Sequence, residues 1–348
     1  EKTEIDPNRE VLNVDITGEI FLVNDEFSNQ NIERELGKMG VQTRRSLTVG
    51  SFLKDAIIPK AFRKNNFTKE WKTNYAKAYK EALNDAKQKF ETYLESYDRS
   101  NDKVRLKIIH TYGVVHDMSE ICHRMHLTEE DTELARIIAL LHDIGRFEQL
   151  KRFDSFEPTT MDHAAYGVQV LFEEGMIRQF VPEDTWDDII RTAIARHSDF
   201  RLEGITDNRT LLHARLIRDA DKLDNCRVKL QDDLLVFMGA SGKEIGAQEI
   251  TPVVYDTVLK DQCIYSPDRV TKMDYWVSYV AYFCDIYFRA SFDIIEEHDY
   301  LNKIIDRIPY SNPDTKQKME NIRTHLAKYI HDAPGVRHNY NSLPSYTM

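Results

Sequence analysis

Adjacent His142 and Asp143 close an apolar run in LARIIALLHDIGRFEQ, and Gly145 and Arg146 follow them. Imidazole and carboxylate both ligate divalent cations such as Zn, Mn, Fe and Co. Burying the two at the end of an apolar helix costs on the order of several kcal/mol, and a bound cation would offset it. An isolated pair of this kind is more simply a helix C-terminus, where the dipole favours His and Asp caps the next turn. This pair has company. His110 lies in KIIHTYGVV, His163 in DHAAYGVQVL and His197 in AIARHSDF, while Asp219, Asp221 and Asp224 punctuate the apolar stretch LLHARLIRDADKLDN.

The elements that must position these residues read as helices. Apolar residues at three- and four-residue steps predict helices over 103–125, 129–141, 163–174, 184–195, 211–222, 273–297 and 313–330. A charged amphipathic stretch beginning near Phe67 precedes them, and SFEPTTMD, EGITDNRT and MGASGKEIG mark turns. The first 65 residues have a different texture. There, 11–23 reads as a strand, NQNIERELGKMG as a helix stopped by Gly40, and VQTRRSLTV as a second strand. The expected class is mainly α, an all-helical core with a small N-terminal α/β segment. The expected divisions are 1–65, 66–335 and a flexible tail over 336–348.

Composition narrows the function classes. The chain has 348 residues, 41% hydrophobic and 30% charged, and no apolar run approaches the roughly 18–20 residues of a membrane span. Its 47 basic and 58 acidic residues leave a net charge of −11, which disfavours non-specific nucleic-acid binding. A local basic pocket for a phosphorylated metabolite is compatible with that sign. Cys122, Cys226, Cys263 and Cys284 form no CxxC pair and read as reduced thiols. With no apolar signal core in EKTEIDPNRE, the chain reads as cytoplasmic.

Taken together, KIIHTYGVV, LLHDIGR and RDADKLD resemble the H…HD…D pattern of the HD-domain superfamily of metal-dependent phosphohydrolases, over roughly Phe90 to Arg227. The resemblance implies an all-helical core and places metal ligands at His110, His142, Asp143 and Asp221. Asp221 is preferred to Asp219 because the family's ligand directly precedes a basic–apolar pair, here Lys222–Leu223. Members with two metals add one His after the central pair and another before the final Asp, the order in which His163 and His197 stand. Asp143 would then bridge the ions. The GYP signature of the cyclic-dinucleotide phosphodiesterase branch is absent, and Ser198 stands where that branch often has another His. Both counts, one ion or two per chain, stay open, as does its identity among Mn, Fe, Zn, Co, Ni and Mg.

Such a set suits phosphoester hydrolysis. A divalent ion lowers the pKa of its water to about 7 and neutralises phosphoryl oxygens. Asp143, Arg146 and Lys222 are the expected catalytic residues, and Arg146, Gln149 and Lys222 the expected substrate contacts. Arg146 is best suited to bidentate phosphate binding. Lys151, Arg152 and Arg218 form a second tier. His116, His123 and His126 share the His110 helix but fall off its face or several turns away. No GxSxG or cysteine motif supports a nucleophilic triad. The aromatic stretch 273–292 reads as a packing helix, with base-pocket lining as a lesser alternative.

The N-terminal GEIFLVNDEFSNQNIERELGKMGVQTRRS resembles part of the 2-hydroxyacyl-CoA dehydratase-related family without its cluster-binding cysteines, so no chemistry is carried over. The leading expectation is a hydrolase acting on a small phosphorylated substrate, a nucleotide first of all, with a homodimer compatible. Three alternatives stand beside it: a cyclic-dinucleotide phosphodiesterase, a non-catalytic nucleotide-binding HD module, and a di-iron oxygenase of the same ligand order.

Overall fold

A computed structural model describes residues 13–18, 42–47, 82–157 and 159–334. The chain divides into two compact units, Glu1–Tyr75 and Ala76–Met348. In the first, β1 (Asn13–Gly18) pairs in parallel with β2 (Gln42–Leu47), from Asn13 opposite Gln42 to Gly18 opposite Leu47. A parallel pair requires a crossover rather than a tight hairpin. The helix expected within that crossover, and the tail over 336–348, lie outside the described residues.

The described residues of the second unit form helices joined by turns. Its first described helix, α1 (82–94), buries Leu83, Ala86, Phe90 and Leu94 at helical spacing. Asn101 then caps α2 (Asp102–Arg124) by accepting from the amides of Lys103 and Val104. Thr128 caps α3 (Glu129–Leu141), whose last turns are buried on nearly every side. A helix apolar all round belongs at the centre of a core, and α3 lies there.

Beyond it run α4 (Ile144–Phe153), α5 (His163–Val168), α6 (Ile177–Phe180) and α7 (Asp187–Arg196). The expected helix over 163–174 is realised as α5 plus a π-helical turn, Gln169–Glu173. Asp207 caps α8 (Asn208–Gln231), which extends well past the expected 211–222 and packs against α2, α3 and α7. Three short helices follow: α9 (Leu234–Met238), α10 (Gly242–Gly246) and α11 (Pro252–Val258).

The expected helix over 273–297 is broken into α12 (Lys272–Ala281), a 3-10 turn (Tyr282–Asp285) and α13 (Arg289–Glu297). The break has a visible partner. Buried Asp219 on α8 accepts the backbone N–H groups of Tyr287 and Phe288 at 3.0–3.2 Å, satisfying donors that a continuous helix would bond internally. The remaining helices, α14 (Tyr300–Asp306) and α15 (Pro313–Asp332), close the C-terminal side, α15 capped by Asn312. No described helix is long and apolar enough to cross a membrane.

Candidate metal centre

Five segments bring the sequence-identified residues together. His110 lies mid-way along α2; His142 and Asp143 form the turn between α3 and α4; His163 opens α5; His197 follows α7; Asp221 lies on α8. Gly145 makes the α4–α5 approach possible. A Cβ there would meet the His163 carbonyl oxygen at 2.2 Å and the Gly167 nitrogen at 2.7 Å, both backbone atoms that cannot swing aside. The glycine two residues after Asp143 thus lets His163 come alongside it.

The Asp143 carboxylate faces two groups of imidazoles. Its Oδ2 lies 3.6 Å from His142 Nε2 and 4.0 Å from His110 Nε2. On the other side, its Oδ1 lies 3.2 Å from His163 Nε2 and 3.6 Å from His197 Nε2. Asp221 Oδ1 joins the first group, 3.0 Å from His110 Nε2 and 3.8 Å from His142 Nε2. Two sets can therefore hold a metal ion, His110–His142–Asp143 and Asp143–His163–His197, and every member is buried.

The donor atoms fit a cation better than they fit each other. His110 Nε2, His142 Nε2 and Asp143 Oδ1 are buried without a hydrogen bond of proper geometry, although other polar atoms stand within 4 Å. Short separation without alignment is what donors converging on one point produce. Three of the four rings are turned by their other nitrogen: His110 Nδ1 meets Asp224 Oδ2 at 2.6 Å, while His142 Nδ1 and His197 Nδ1 donate to the Ala139 and Ile194 carbonyls at 2.7 Å. A proton on Nδ1 leaves the Nε2 lone pair free as a ligand. His163 and His197 present Nε2 atoms 3.2 Å apart. Ligands about 2.0–2.1 Å from a tetrahedral ion stand roughly 3.3 Å from one another.

Charge in the site is opposed to burial. Burial alone would raise the Asp143 carboxyl, but the Lys107 ammonium, 2.6 Å from Oδ2, and the surrounding imidazoles hold it well below the usual carboxylate range. Asp221 is likewise lowered against burial by His110 and its neighbours. Burial pushes His142 down to about 4, and burial with the Arg146 charge pushes His163 down to about 3. For His110, burial and Lys107 act downward, yet the Asp221 and Asp224 carboxylates raise the ring overall. Ionised carboxylates and neutral imidazoles are the protonation states that ligate metals.

Above this floor opens a cavity of about 530 Å³. His110, Asp143, His163, His197 and Asp221 line it, as do Arg146 and Lys222. Arg146 is held at three points, Gln149 Oε1 (2.6 Å), the Phe156 carbonyl (3.2 Å) and His163 Nε2 (2.8 Å). Lys222 lies 2.7 Å from Asp285, which it shares with Arg218. Gln149 takes another place. It does not line the cavity, and its buried amide instead ties the Glu157 and Thr160 turn to α4.

Of the second tier, Arg218 lines the cavity while Lys151 and Arg152 are exposed. His116, His123 and His126 are exposed too. The aromatic helix divides its roles: Met273, Trp276, Val277 and Val280 are buried in the core, and Tyr275, Tyr279 and Tyr282 line the cavity. Sequence reasoning gave no role to Asp224 and passed over Lys107 and Asp285. Lys107 stands one turn before His110 and Asp224 one turn after Asp221, so the i,i+3 rule applied to each ligand would have flagged both.

Convergent buried imidazoles and carboxylates on helices, under a cavity, define a helical protein that can hold divalent metal. Residues 108–226 match the family model of the HD domain. That segment, about a third of the chain, is an HD domain by this match, and it contains His110, His142, Asp143, His163, His197 and Asp221. Comparisons with curated proteins and with solved structures found no match.

Proposed function

We propose that this protein is a phosphohydrolase that cleaves a phosphoester of a small phosphorylated substrate, a nucleotide in the first instance, by metal-activated water. The observation that carries the reading is the position of Asp143, one carboxylate whose two oxygens face two histidine sets at the base of a cavity lined by basic, acidic and aromatic residues. His110, His142, Asp221 and Asp143 would hold one ion, and His163, His197 and Asp143 a second. A bound divalent ion supplies a hydroxide near neutral pH and neutralises phosphoryl oxygens. The chain's own residues do the rest. Arg146, fixed by Gln149 and the Phe156 carbonyl, presents its guanidinium toward the His163 side of the site. Lys107 and Lys222 add ammonium groups on the cavity wall, and Tyr275, Tyr279 and Tyr282 give it an aromatic side.

Two donor sets sharing one carboxylate favour a binuclear centre, and so keep cyclic-dinucleotide phosphodiesterase chemistry as the second reading. The decisive experiment is metal content by plasma mass spectrometry on protein purified without chelator, alongside turnover of a nucleotide and cyclic-dinucleotide panel. Asp143→Ala should lose bound metal and reduce turnover to background while its circular dichroism stays helical. Equal turnover by variant and parent would overturn the assignment. About two ions per chain supports the binuclear arrangement, and about one the mononuclear arrangement with His163 and His197 contacting phosphate.

A further inference from the structure

One lysine of the cavity has no anionic partner. Lys229 is 6% exposed and lines the cavity, yet among the described residues no carboxylate lies within ion-pairing distance of its ammonium. The ammonium rests instead against two rings, 4.2 Å from the Tyr279 centroid and 4.4 Å from the Phe237 centroid. Those rings themselves stand edge to face, 6.5 Å apart. Cation–π contacts contribute roughly 0.5–2 kcal/mol, whereas taking an ion out of water costs on the order of several kcal/mol. Two aromatic faces leave much of that cost uncompensated. Of the other basic residues that line the cavity, Lys107 is matched to Asp143 and Arg218 with Lys222 to Asp285, while the less buried Arg269 donates to the Ser266 carbonyl and lies over the Tyr275 ring.

Its place along α8 says which part of a ligand it would meet. Arg218, Lys222, Asn225 and Lys229 recur at steps of four, three and four residues and all line the cavity, one stripe on one helix face. Asp221 adjoins that stripe at the metal-binding end. Lys229 stands two turns further on, about 12 Å along the helix axis from Asp221 at 1.5 Å per residue. Helical side chains lean toward the N-terminus, so the ammonium reaches back over part of that distance.

We propose that Lys229, with Phe237 and Tyr279, forms a second anion subsite, so that the substrate carries an anionic group in addition to the phosphate at the metal centre. This inference deepens the phosphohydrolase reading and rests on it for the identity of the first phosphate. Burial and the Lys107 charge press the Lys229 ammonium down to about 7, and an incoming anion would favour its protonated form. Substrates of this class are bisphosphates, or phosphate esters bearing a second phosphate or carboxylate at a distance.

The test uses non-hydrolysable probes on the full chain, α,ω-alkane bisphosphonates of increasing length beside alkyl monophosphonates of matched length, titrated by calorimetry. At a matching length the parent should bind the bisphosphonate at least tenfold more tightly than the monophosphonate. Lys229→Met should remove that advantage while leaving monophosphonate affinity within about twofold, and Lys229→Arg should retain most of it. Melting temperatures of both variants check that they fold, and the Arg variant carries the test should Met prove unstable. An advantage that persists in Lys229→Met, or no advantage at any length in the parent, overturns the subsite, while monophosphonate binding keeps the hydrolase reading intact. Lys229-dependent binding without turnover of any phosphoester supports the subsite and removes the hydrolase reading. If neither series binds, both fall.

Discussion

Asp224 was visible in the sequence only as one of three aspartates on an apolar helix, and its work is to hold His110. Its Oδ2 meets His110 Nδ1 at 2.6 Å, and Arg227 grips both oxygens at 2.7 and 3.0 Å. Such a carboxylate–histidine pair fixes the ring and its tautomer, and losing it costs about 10–100-fold in metal affinity in comparable sites. Gly113 belongs to the same device: a Cβ on it would stand 1.8 Å from Asp224 Oδ1. Asp224→Ala should therefore weaken metal binding by about 10–100-fold. Asp224→Asn, which keeps an acceptor but not the charge, should weaken it less. Gly113→Ala should reproduce the loss by displacing Asp224, although Gly113 itself touches no ligand. Competition against a fluorescent chelator measures all three, and unaltered affinity in Gly113→Ala would show that Asp224 does not position the ring.

At the scale of elements, α3 must be buried to carry His142 and Asp143 into the centre, and that placement traps an acid. Glu133 is 1% exposed, both its oxygens lack a hydrogen bond among the described residues, and Arg136 Nη1 is 3.8 Å away. Burial pushes its carboxyl from 4.5 up to about 7, against the pull of Arg136. Between those values the folded chain binds more protons than the unfolded one, so this group's contribution makes stability fall as pH rises through the window. The penalty is complete above about pH 7 and amounts to something on the order of 1–3 kcal/mol. Glu133→Gln should flatten the melting temperature against pH between 5 and 7.5 relative to the parent. Parallel curves would sink the assignment. The apolar spacing that made α3 legible from 129 to 141 is the same signal that hid this acid, because periodicity reports the face and not its exceptions. The break between α12 and α13 was illegible for a related reason. It depends on Asp219, nearly seventy residues earlier in the chain, reaching the amides of Tyr287 and Phe288. Local pattern carries no trace of such a contact, and with the break came Asp285, the partner of Arg218 and Lys222.

For the whole molecule, the candidate ligands His110, His142–Asp143 and Asp221 were readable because their types and order stand in the sequence. What that order could not say is that α2, the α3–α4 turn, α5, α7 and α8 each supply part of one centre. Without an ion those segments hold several imidazoles and a carboxylate at close quarters, with His163 Nε2 and His197 Nε2 at 3.2 Å. A cation bound by the folded chain and not by the unfolded one adds RT ln(1 + [M]/Kd), about 2.7 kcal/mol at a hundredfold excess over Kd. For a unit of this size that corresponds to roughly 5 °C or more in melting temperature. The chain has two units, so the shift should appear only in the transition of the helical unit. Scanning calorimetry of chelator-stripped protein, before and after adding back Mn, Fe, Zn or Co, measures it. Asp143→Ala should melt at the same temperature with and without metal. If the stripped and reconstituted parent melt together, the ligands do not tie these five segments through an ion, and the convergence of their side chains must be stabilised by hydrogen bonding and packing alone.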